Sequence, residues 1–237
     1  MYGPMSRCQR VRHFLLPVLA LLLVCFNQTV VEAGSSEAGD TRPKIVAFGD
    51  SLTAGFGVSG EDTYPAQLQR RLDELNHRYR VINAGVSGDT TAGGLRRVTW
   101  VLAGKPDIVI LELGANDGLR GLSLEQTKSN LGSIIQQLQQ AGVTVILAGM
   151  KLPPNYGQDY TKGFEAIYPA LARQYRLPLI PFFLEGVAAS SALNQADGIH
   201  PTKAGYRIIV EQVLKTLGPV IRARANPTSP KMLKSIE

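Results

Sequence analysis

The sequence predicts an α/β fold, with a single domain built from a parallel sheet and helices on both of its faces. Short apolar runs alternate along the chain with longer segments whose apolar residues recur at helical spacing. The composition, with 44% hydrophobic and 19% charged residues, is that of an ordinary globular protein. No internal repeat divides residues 43–218, so we expect these residues to form one domain.

Five short apolar segments are the predicted strands. Residues 44–48, 80–83, 107–113 and 143–148 are rich in Val, Ile and Leu, and small residues follow each of them. Proline interrupts the fifth segment, residues 178–183, which places it at an edge of the sheet because proline lacks a backbone donor. In such sheets the functional site lies beyond the carboxyl ends of the strands.

Five longer segments are the predicted helices. Leucine and isoleucine recur in them every three or four residues, and glycine or proline follows several of them. The predicted helices are residues 64–80, 91–102, 124–141, 164–175 and 202–217. Gly218 and Pro219 are predicted to end the last helix. We expect the basic segment that follows, residues 219–237, to form a flexible tail.

Residues 1–33 have the features of a secretory signal peptide. Three arginines precede an apolar run of 13 residues, and small residues precede the predicted cleavage point after Ala33. The run is shorter than the roughly 20 residues that a membrane span needs. Lipidation at Cys25 is an alternative, but Val24 is bulkier than the residue such sites carry. We therefore expect a periplasmic or secreted protein with a short polar lead-in at residues 34–42.

Cleavage would change both the charge and the cysteine content. The formal net charge would fall from +6 to +4, since three arginines and one glutamate are removed. Much of the remaining excess lies in the tail, so the body has no basic footprint for nucleic acid. Cys8 and Cys25 would also be lost, which excludes disulfides, a cysteine nucleophile and thiolate metal sites. We expect a monomer that meets membranes only through lipid-like substrates.

Four loops at the predicted carboxyl edge carry residues suited to acyl transfer. Ser51 follows the first strand, Gly88 the second and Asn116 the third, while Asp197 and His200 precede the last helix. A serine hydroxyl attacks poorly unless a base takes its proton, and His200 can supply that base. Asp197 lies three residues before His200, so its carboxylate can hold one ring nitrogen while the other faces the serine.

Taken singly, each of these residues has a purely structural interpretation. Ser51 and Asn116 could be helix caps, and Gly88 could occupy a turn. His200 could be only a residue at the start of a helix, and we interpret His77, near the end of a polar helix, as a solvated or helix-end histidine. The ordered combination along one edge of the sheet is what favours catalysis.

These blocks resemble those of the GDSL, or SGNH, hydrolases. They are Gly-Asp-Ser-Leu at residues 49–52, Gly88 in its Ala-Gly-Val-Ser-Gly-Asp context, Gly-Ala-Asn-Asp at 114–117 and Asp-Gly-Ile-His-Pro at 197–201. The resemblance covers nearly all of residues 43–218. Within the family it is greatest to the bacterial periplasmic thioesterase I/protease I/lysophospholipase L1 group, often called arylesterases. Three stretches carry this closer match: residues 116–121, 152–157 and 166–169.

The resemblance implies a flavodoxin-like, three-layer α/β/α fold with a five-stranded parallel sheet, and a reaction without cofactor or metal. It implies that Ser51 is the nucleophile, His200 the base and Asp197 the carboxylate that orients the base. The backbone N–H groups of Ser51 and Gly88 and the side-chain amide of Asn116 would form the oxyanion hole.

The loops after the third and fourth strands are expected to border the acyl group. The candidate substrate-binding residues are Asp50, Leu119, Arg120, Gly121, Leu122, Pro154 and Tyr156. Apolar residues there favour fatty acyl groups, since each buried CH₂ contributes about 0.8 kcal/mol, although the leucines could be ordinary packing. We expect hydrolysis of aryl esters, fatty acyl thioesters or lysophospholipids through an acyl-serine intermediate. Alternatives are a carbohydrate O-acetyl esterase, an acyltransferase and a catalytically silent ligand-binding protein.

Overall fold

A computed structural model describes residues 40–225, so the expected signal peptide and residues 226–237 lie outside the described range. Five parallel strands form one sheet in the order β2-β1-β3-β4-β5. The strands are β1 (Lys44–Gly49), β2 (Arg80–Gly85), β3 (Ile108–Glu112), β4 (Thr144–Ala148) and β5 (Leu179–Ile180). This is the flavodoxin-like order, and the predicted α/β fold is confirmed.

The central strands are apolar because helices cover both faces of the sheet. All residues of β3 are buried, as are all but the first residue of β1. At the carboxyl edge Gly49 is paired with Gly85 on one side and with Glu112 on the other. The loops after β1, β2 and β3 therefore leave the sheet at the same level. β5 lies at the edge, as expected, and has only two residues because Pro181 follows it.

Seven α-helices lie within residues 40–225. They are α1 (Ser51–Ala54), α2 (Tyr64–Glu74), α3 (Thr91–Ala103), α4 (Ala115–Leu119), α5 (Leu124–Gln140), α6 (Gln158–Tyr175) and α7 (Lys203–Ala225). α2 packs against α7, while α5 packs between α3 and α6. None of these described helices is both long enough and apolar enough to cross a membrane.

Two helix boundaries differ from the sequence prediction. α2 ends at Glu74 instead of residue 80, because Asn76 adopts a left-handed conformation with φ of 57° and the chain closes back on the last turn. α6 begins at Gln158, six residues before the predicted start. Its first turn is polar and carries no apolar repeat, so the helical period is not visible there.

The C-terminal helix also extends further than predicted, into the expected flexible tail. Pro219 lies inside α7, where it removes one backbone hydrogen bond. The helix continues because Leu217 and Ile221 are buried in the core on either side of it. Beyond them, Arg224 forms an ion pair with Asp107 at 2.9 Å. The prediction that the helix ends at residue 217 is therefore wrong, since packing outweighs the proline.

Candidate active site

The turn after β1 presents Ser51 at the carboxyl edge of the sheet. Asp50 caps α1, its Oδ1 accepting the backbone N–H of Leu52 at 3.0 Å, and Ser51 is the first residue of the helix. β1 lies between β2 and β3, where successive crossovers run to opposite sides. This is the position in a doubly wound sheet at which a crevice opens beyond the strands.

Ser51, His200 and Asp197 form a continuous hydrogen-bonded chain. Ser51 Oγ lies 2.9 Å from His200 Nε2, and His200 Nδ1 lies 2.7 Å from Asp197 Oδ2. Asp197 Oδ1 accepts the backbone N–H groups of Ile199 and His200, each at 3.0 Å. These bonds, above all the one from the His200 backbone, lower the pKa of Asp197 to about 2. The carboxylate therefore stays charged beside the imidazole at any ordinary pH.

Two contacts fix the loop that carries His200. The ring of Phe56, on the loop after α1, lies 4.7 Å from the imidazole centroid, and its plane is tilted by 40°. Gln195 Nε2 donates to the Phe56 carbonyl at 2.7 Å and to the Pro201 carbonyl at 3.1 Å, and its backbone N–H donates to the His200 carbonyl. Gln195 thus joins the loop of the serine to the loop of the histidine.

Gly88 and Asn116 line the same cavity as Ser51 and His200. Gly88 has a φ of 78°, a conformation that favours glycine. Its carbonyl accepts a bond from Arg120 at 2.9 Å. Asn116 Nδ2 donates to Asp50 Oδ2 at 3.1 Å, which uses one of the two amide hydrogens. The other amide hydrogen has no hydrogen-bond partner among the described residues.

Asp117 anchors the loop that carries Asn116. It is buried, and its carboxylate accepts both the backbone N–H and the hydroxyl of Thr91, the first residue of α3. Thr127 on α5 also donates to it, at 3.4 Å. These bonds connect the segment after β3 to α3 and α5, and they fix the position of the backbone that carries Asn116.

Arg97 joins the carboxyl ends of two strands to the loop of Gly88. Its guanidinium pairs with Asp89 at 2.7 Å and donates to the carbonyls of Ala84 and Gly49, each at 2.7 Å. The group also lies 4.4 Å from the centroid of the Phe48 ring. Sequence reasoning missed Arg97, because no local motif distinguishes it from Arg96, the other arginine of α3.

A cavity of about 550 Å³ opens beside Ser51 and His200. Of the predicted substrate-binding residues, it is lined by Asp50, Leu119 and Pro154. Its wall does not include the other four, which are Arg120, Gly121, Leu122 and Tyr156. Two of these have supporting contacts: Arg120 bonds the Gly88 carbonyl, and the Tyr156 hydroxyl donates to the Leu119 carbonyl at 3.0 Å.

Most of the cavity wall is apolar, and much of it was not predicted. The additional apolar side chains are Phe56, Met150, Leu152, Phe182, Leu184 and Ile199. Met150 and Leu152 follow β4, and Phe182 and Leu184 follow β5, so they lie at the same edge of the sheet as Ser51. Applying the strand-end rule to the fifth strand as well would have predicted Phe182 and Leu184.

Known proteins similar to this chain include two esterases. It is 45% identical over 178 residues to "Esterase TesA" of Pseudomonas aeruginosa, covering 75% of this chain and 89% of the relative. It is 38% identical over 207 residues to "Thioesterase 1/protease 1/lysophospholipase L1" of Escherichia coli K12, covering 87% and 93%. The crystal structure of TesA superposes with a TM-score of 0.73 at 45% identity, covering 75% of this chain and 99% of that one.

A family model also matches more than half of the sequence. The matched residues are 47–208, which include the end of β1, all of β2 to β5, all of α1 to α6, the start of α7 and all four loops described above. The family is described as the GDSL-like Lipase/Acylhydrolase family. Fold, loops and relatives agree, and the chain belongs to this family of serine esterases.

Proposed function

We propose that Ser51, His200 and Asp197 hydrolyse acyl esters and thioesters through an acyl-serine intermediate. The observation that carries this proposal is the hydrogen-bonded chain from Asp197 through His200 to Ser51 Oγ, at 2.7 and 2.9 Å, beside an apolar cavity. His200 takes the hydroxyl proton as Oγ attacks the acyl carbonyl, while Asp197 stabilises the imidazolium that forms.

The tetrahedral intermediate places a negative charge on the former carbonyl oxygen. The backbone N–H groups of Ser51 and Gly88 and Nδ2 of Asn116 are the donors for that oxygen. His200 then returns its proton to the leaving alcohol or thiol, and the carbon–oxygen or carbon–sulfur bond breaks. Water, activated by His200, attacks the acyl-serine in the second half of the reaction and releases the carboxylic acid.

The cavity supports an acyl chain of medium or greater length as the preferred group. An acetyl group would leave most of its 550 Å³ unfilled, whereas each methylene placed against the apolar wall gains about 0.8 kcal/mol. The names of the two relatives include esterase, thioesterase and lysophospholipase activities, which fit such acyl donors. A carbohydrate O-acetyl esterase is the alternative that this wall disfavours.

The same proposal includes export of a monomeric enzyme. The basic and apolar pattern of residues 1–33 supports cleavage after Ala33 and a periplasmic or secreted location. There the enzyme would act on small-molecule esters and lipid-like substrates. Sequencing the amino terminus of the protein recovered from the periplasm or medium tests the cleavage point, and a chain that starts at Met1 would contradict it.

A hydrolysis panel tests the reaction and its substrate. Residues 34–237 are assayed on p-nitrophenyl esters from acetate to palmitate, a lysophospholipid and an acyl-CoA. Ser51→Ala is expected to abolish turnover, while the matched control Ser87→Ala, a serine of the same cavity, retains it. Activity that rises with chain length supports the acyl-chain proposal. Activity confined to acetate supports the carbohydrate esterase, and turnover by Ser51→Ala contradicts the mechanism.

A further inference from the structure

A carboxyl group is completely buried beneath the turn that carries Ser51. Glu112 is the last residue of β3 and is 0% exposed. Its Oε2 accepts the Thr53 hydroxyl at 2.8 Å and, more weakly, the Asp50 backbone N–H at 3.4 Å. Both donors belong to the turn and short helix that present Ser51. Glu112 therefore bonds the residue before Ser51 and the residue two positions after it, and it does not line the cavity.

Gly49 packs so closely against Glu112 and Thr53 that no side chain fits at this position. A Cβ on Gly49 would overlap the Thr53 hydroxyl and both the side chain and the carbonyl of Glu112. The glycine that opens the Gly-Asp-Ser-Leu block is thus required because the Glu112 carboxyl lies against its Cα. This close fit indicates that the carboxyl and the nucleophile turn form one packed unit.

No cation neutralises Glu112 within residues 40–225. The groups that face it are Asp50 after β1, Tyr64 on α2, Tyr168 on α6 and Tyr206 on α7. Arg97 approaches the adjacent Gly49 carbonyl, but it is paired with Asp89. Burial and the neighbouring charge of Asp50 raise the pKa of Glu112 well above its usual range.

Asp50 and Glu112 are both buried and repel each other when both are charged, so they cannot both be ionised at low cost, and the hydrogen bonds decide which one holds the proton. Asp50 accepts a bond on each oxygen, from the Leu52 N–H and from Asn116 Nδ2. Glu112 Oε1 has no acceptor or donor partner, and the hydroxyls of Tyr64 and Tyr206 are also buried without one. The proton is therefore better placed on Glu112, where it creates a donor among groups that need one.

We propose that Glu112 is a positioning residue for ester hydrolysis: as an uncharged carboxylic acid it fixes the Ser51 turn and leaves the negative charge on Asp50, which holds Asn116. This role rests on the function proposed above. Glu112 acts through Thr53, Asp50 and Asn116 and does not touch the substrate. Loss of the acid lets the turn and the Asn116 amide shift, and a displacement of about 1 Å costs about a hundredfold in rate.

Three variants test the positioning role. Glu112→Leu keeps the volume but removes the acceptor, and kcat is expected to fall about a hundredfold with KM little changed. Glu112→Gln keeps an uncharged polar group and is expected to restore kcat to within about threefold of the parent enzyme. Asp107→Asn is the matched control, because Asp107 directly precedes the same strand at the opposite edge of the sheet and should leave kcat unchanged. If Glu112→Leu does not fold, Thr53→Val removes the same contact from the other side.

An infrared measurement tests the charge state directly. The difference spectrum between the parent enzyme and Glu112→Gln at pH 8 is expected to show loss of a protonated carboxyl band. Loss of carboxylate bands would overturn the proposal, as would full activity of both Glu112→Leu and Thr53→Val, or a Glu112→Gln enzyme as slow as Glu112→Leu. Ser51→Ala is assayed in parallel: if it remains active, the proposed function fails independently of Glu112.

Discussion

The Asn116 side chain donates a hydrogen bond to the buried carboxyl of Asp50 at 3.1 Å, so two loops from neighbouring strands meet directly beside Ser51. Asp50 follows β1 and Asn116 follows β3, and only the parallel pairing of those strands brings them together. The contact explains why an acid precedes the serine: together with the Arg120 guanidinium, which donates to Asn116 Oδ1 at 3.5 Å, it fixes the orientation of the amide.

Removing this amide should slow the reaction without weakening binding. We expect Asn116→Ala to reduce kcat by about 10²–10³-fold with little change in KM, the usual loss for one oxyanion donor. Steady-state kinetics on a medium-chain p-nitrophenyl ester measure both constants. A loss confined to KM would show that Asn116 binds the substrate and does not stabilise the oxyanion.

Asp50 should make the fold less stable as the pH rises. Burial raises its pKa from 3.8 to about 6, so between these values the folded state binds more protons than the unfolded state, and stability falls with increasing pH. Asp50→Asn cannot titrate. Its free energy of unfolding, relative to the parent, should therefore rise by up to about 3 kcal/mol from pH 4 to pH 7.

Urea denaturation at the two pH values measures this difference. Asp50→Asn should also lose activity, because the amide that replaces the Asp50 carboxylate cannot offer the Asn116 side chain a charged acceptor. An unchanged stability difference between the two pH values would mean that the Asp50 pKa is not raised in the fold.

Arg97 should not be replaceable by lysine. A lysine carries one ammonium group and cannot bond Asp89 and the carbonyls of Ala84 and Gly49 in the fixed planar geometry of a guanidinium. We expect Arg97→Lys to lower kcat by about a hundredfold, since both the Ser51 turn and the Gly88 loop lose an anchor. Arg96→Lys, at the exposed neighbouring position, is the control for kinetics and thermal melting. Equal rates for the two variants would contradict the role of Arg97.

Asp197 should be required over the whole range in which the enzyme is folded. Its pKa of about 2 means that its titration does not produce an acid limb near neutral pH. Asp197→Asn should lower kcat by about 10⁴-fold at every pH, since the imidazole loses its orienting charge. A pH–rate profile of parent and variant checks this. A variant that recovers at high pH would indicate that another group orients His200.

The enzyme's preference for acyl-chain length should depend on the part of the cavity wall that follows β5. Leu184 lines the cavity, and Leu184→Trp narrows it. We expect kcat/KM for the palmitate ester to fall by at least about tenfold while that for acetate is nearly unchanged, because only long chains reach this wall. Leu75→Trp, at the exposed residue that caps the end of α2 and does not line the cavity, is the control. A parallel loss for both esters would place Leu184 near the scissile bond.

The sequence predicts those parts of the site that follow directly from strand ends. Ser51, Gly88 and Asn116 each come within a few residues of an apolar run, so one rule about parallel sheets brings them together. Arg97 and Gln195 act through bonds to backbone carbonyls far away in the sequence, and the sequence does not show which carbonyls will accept such bonds.

Glu112 was hidden for a different reason. A carboxylate at the end of an apolar strand suggests an exposed strand end, yet Glu112 is completely buried, and the tyrosines that face it come from α2, α6 and α7. The α2 boundary failed because Asn76 takes a left-handed conformation, and the α7 boundary failed because the burial of Leu217 and Ile221 carries the helix past Pro219.

The ion pair between Arg224 and Asp107 lies at the amino edge of the sheet, the end away from Ser51. The last turn of α7 is thus tethered where no chemistry takes place. An enzyme immobilised on a solid support through a linker fused beyond this helix would keep its cavity facing the solution. Attachment at this end should therefore yield a catalyst whose turnover per molecule is close to that of the free protein.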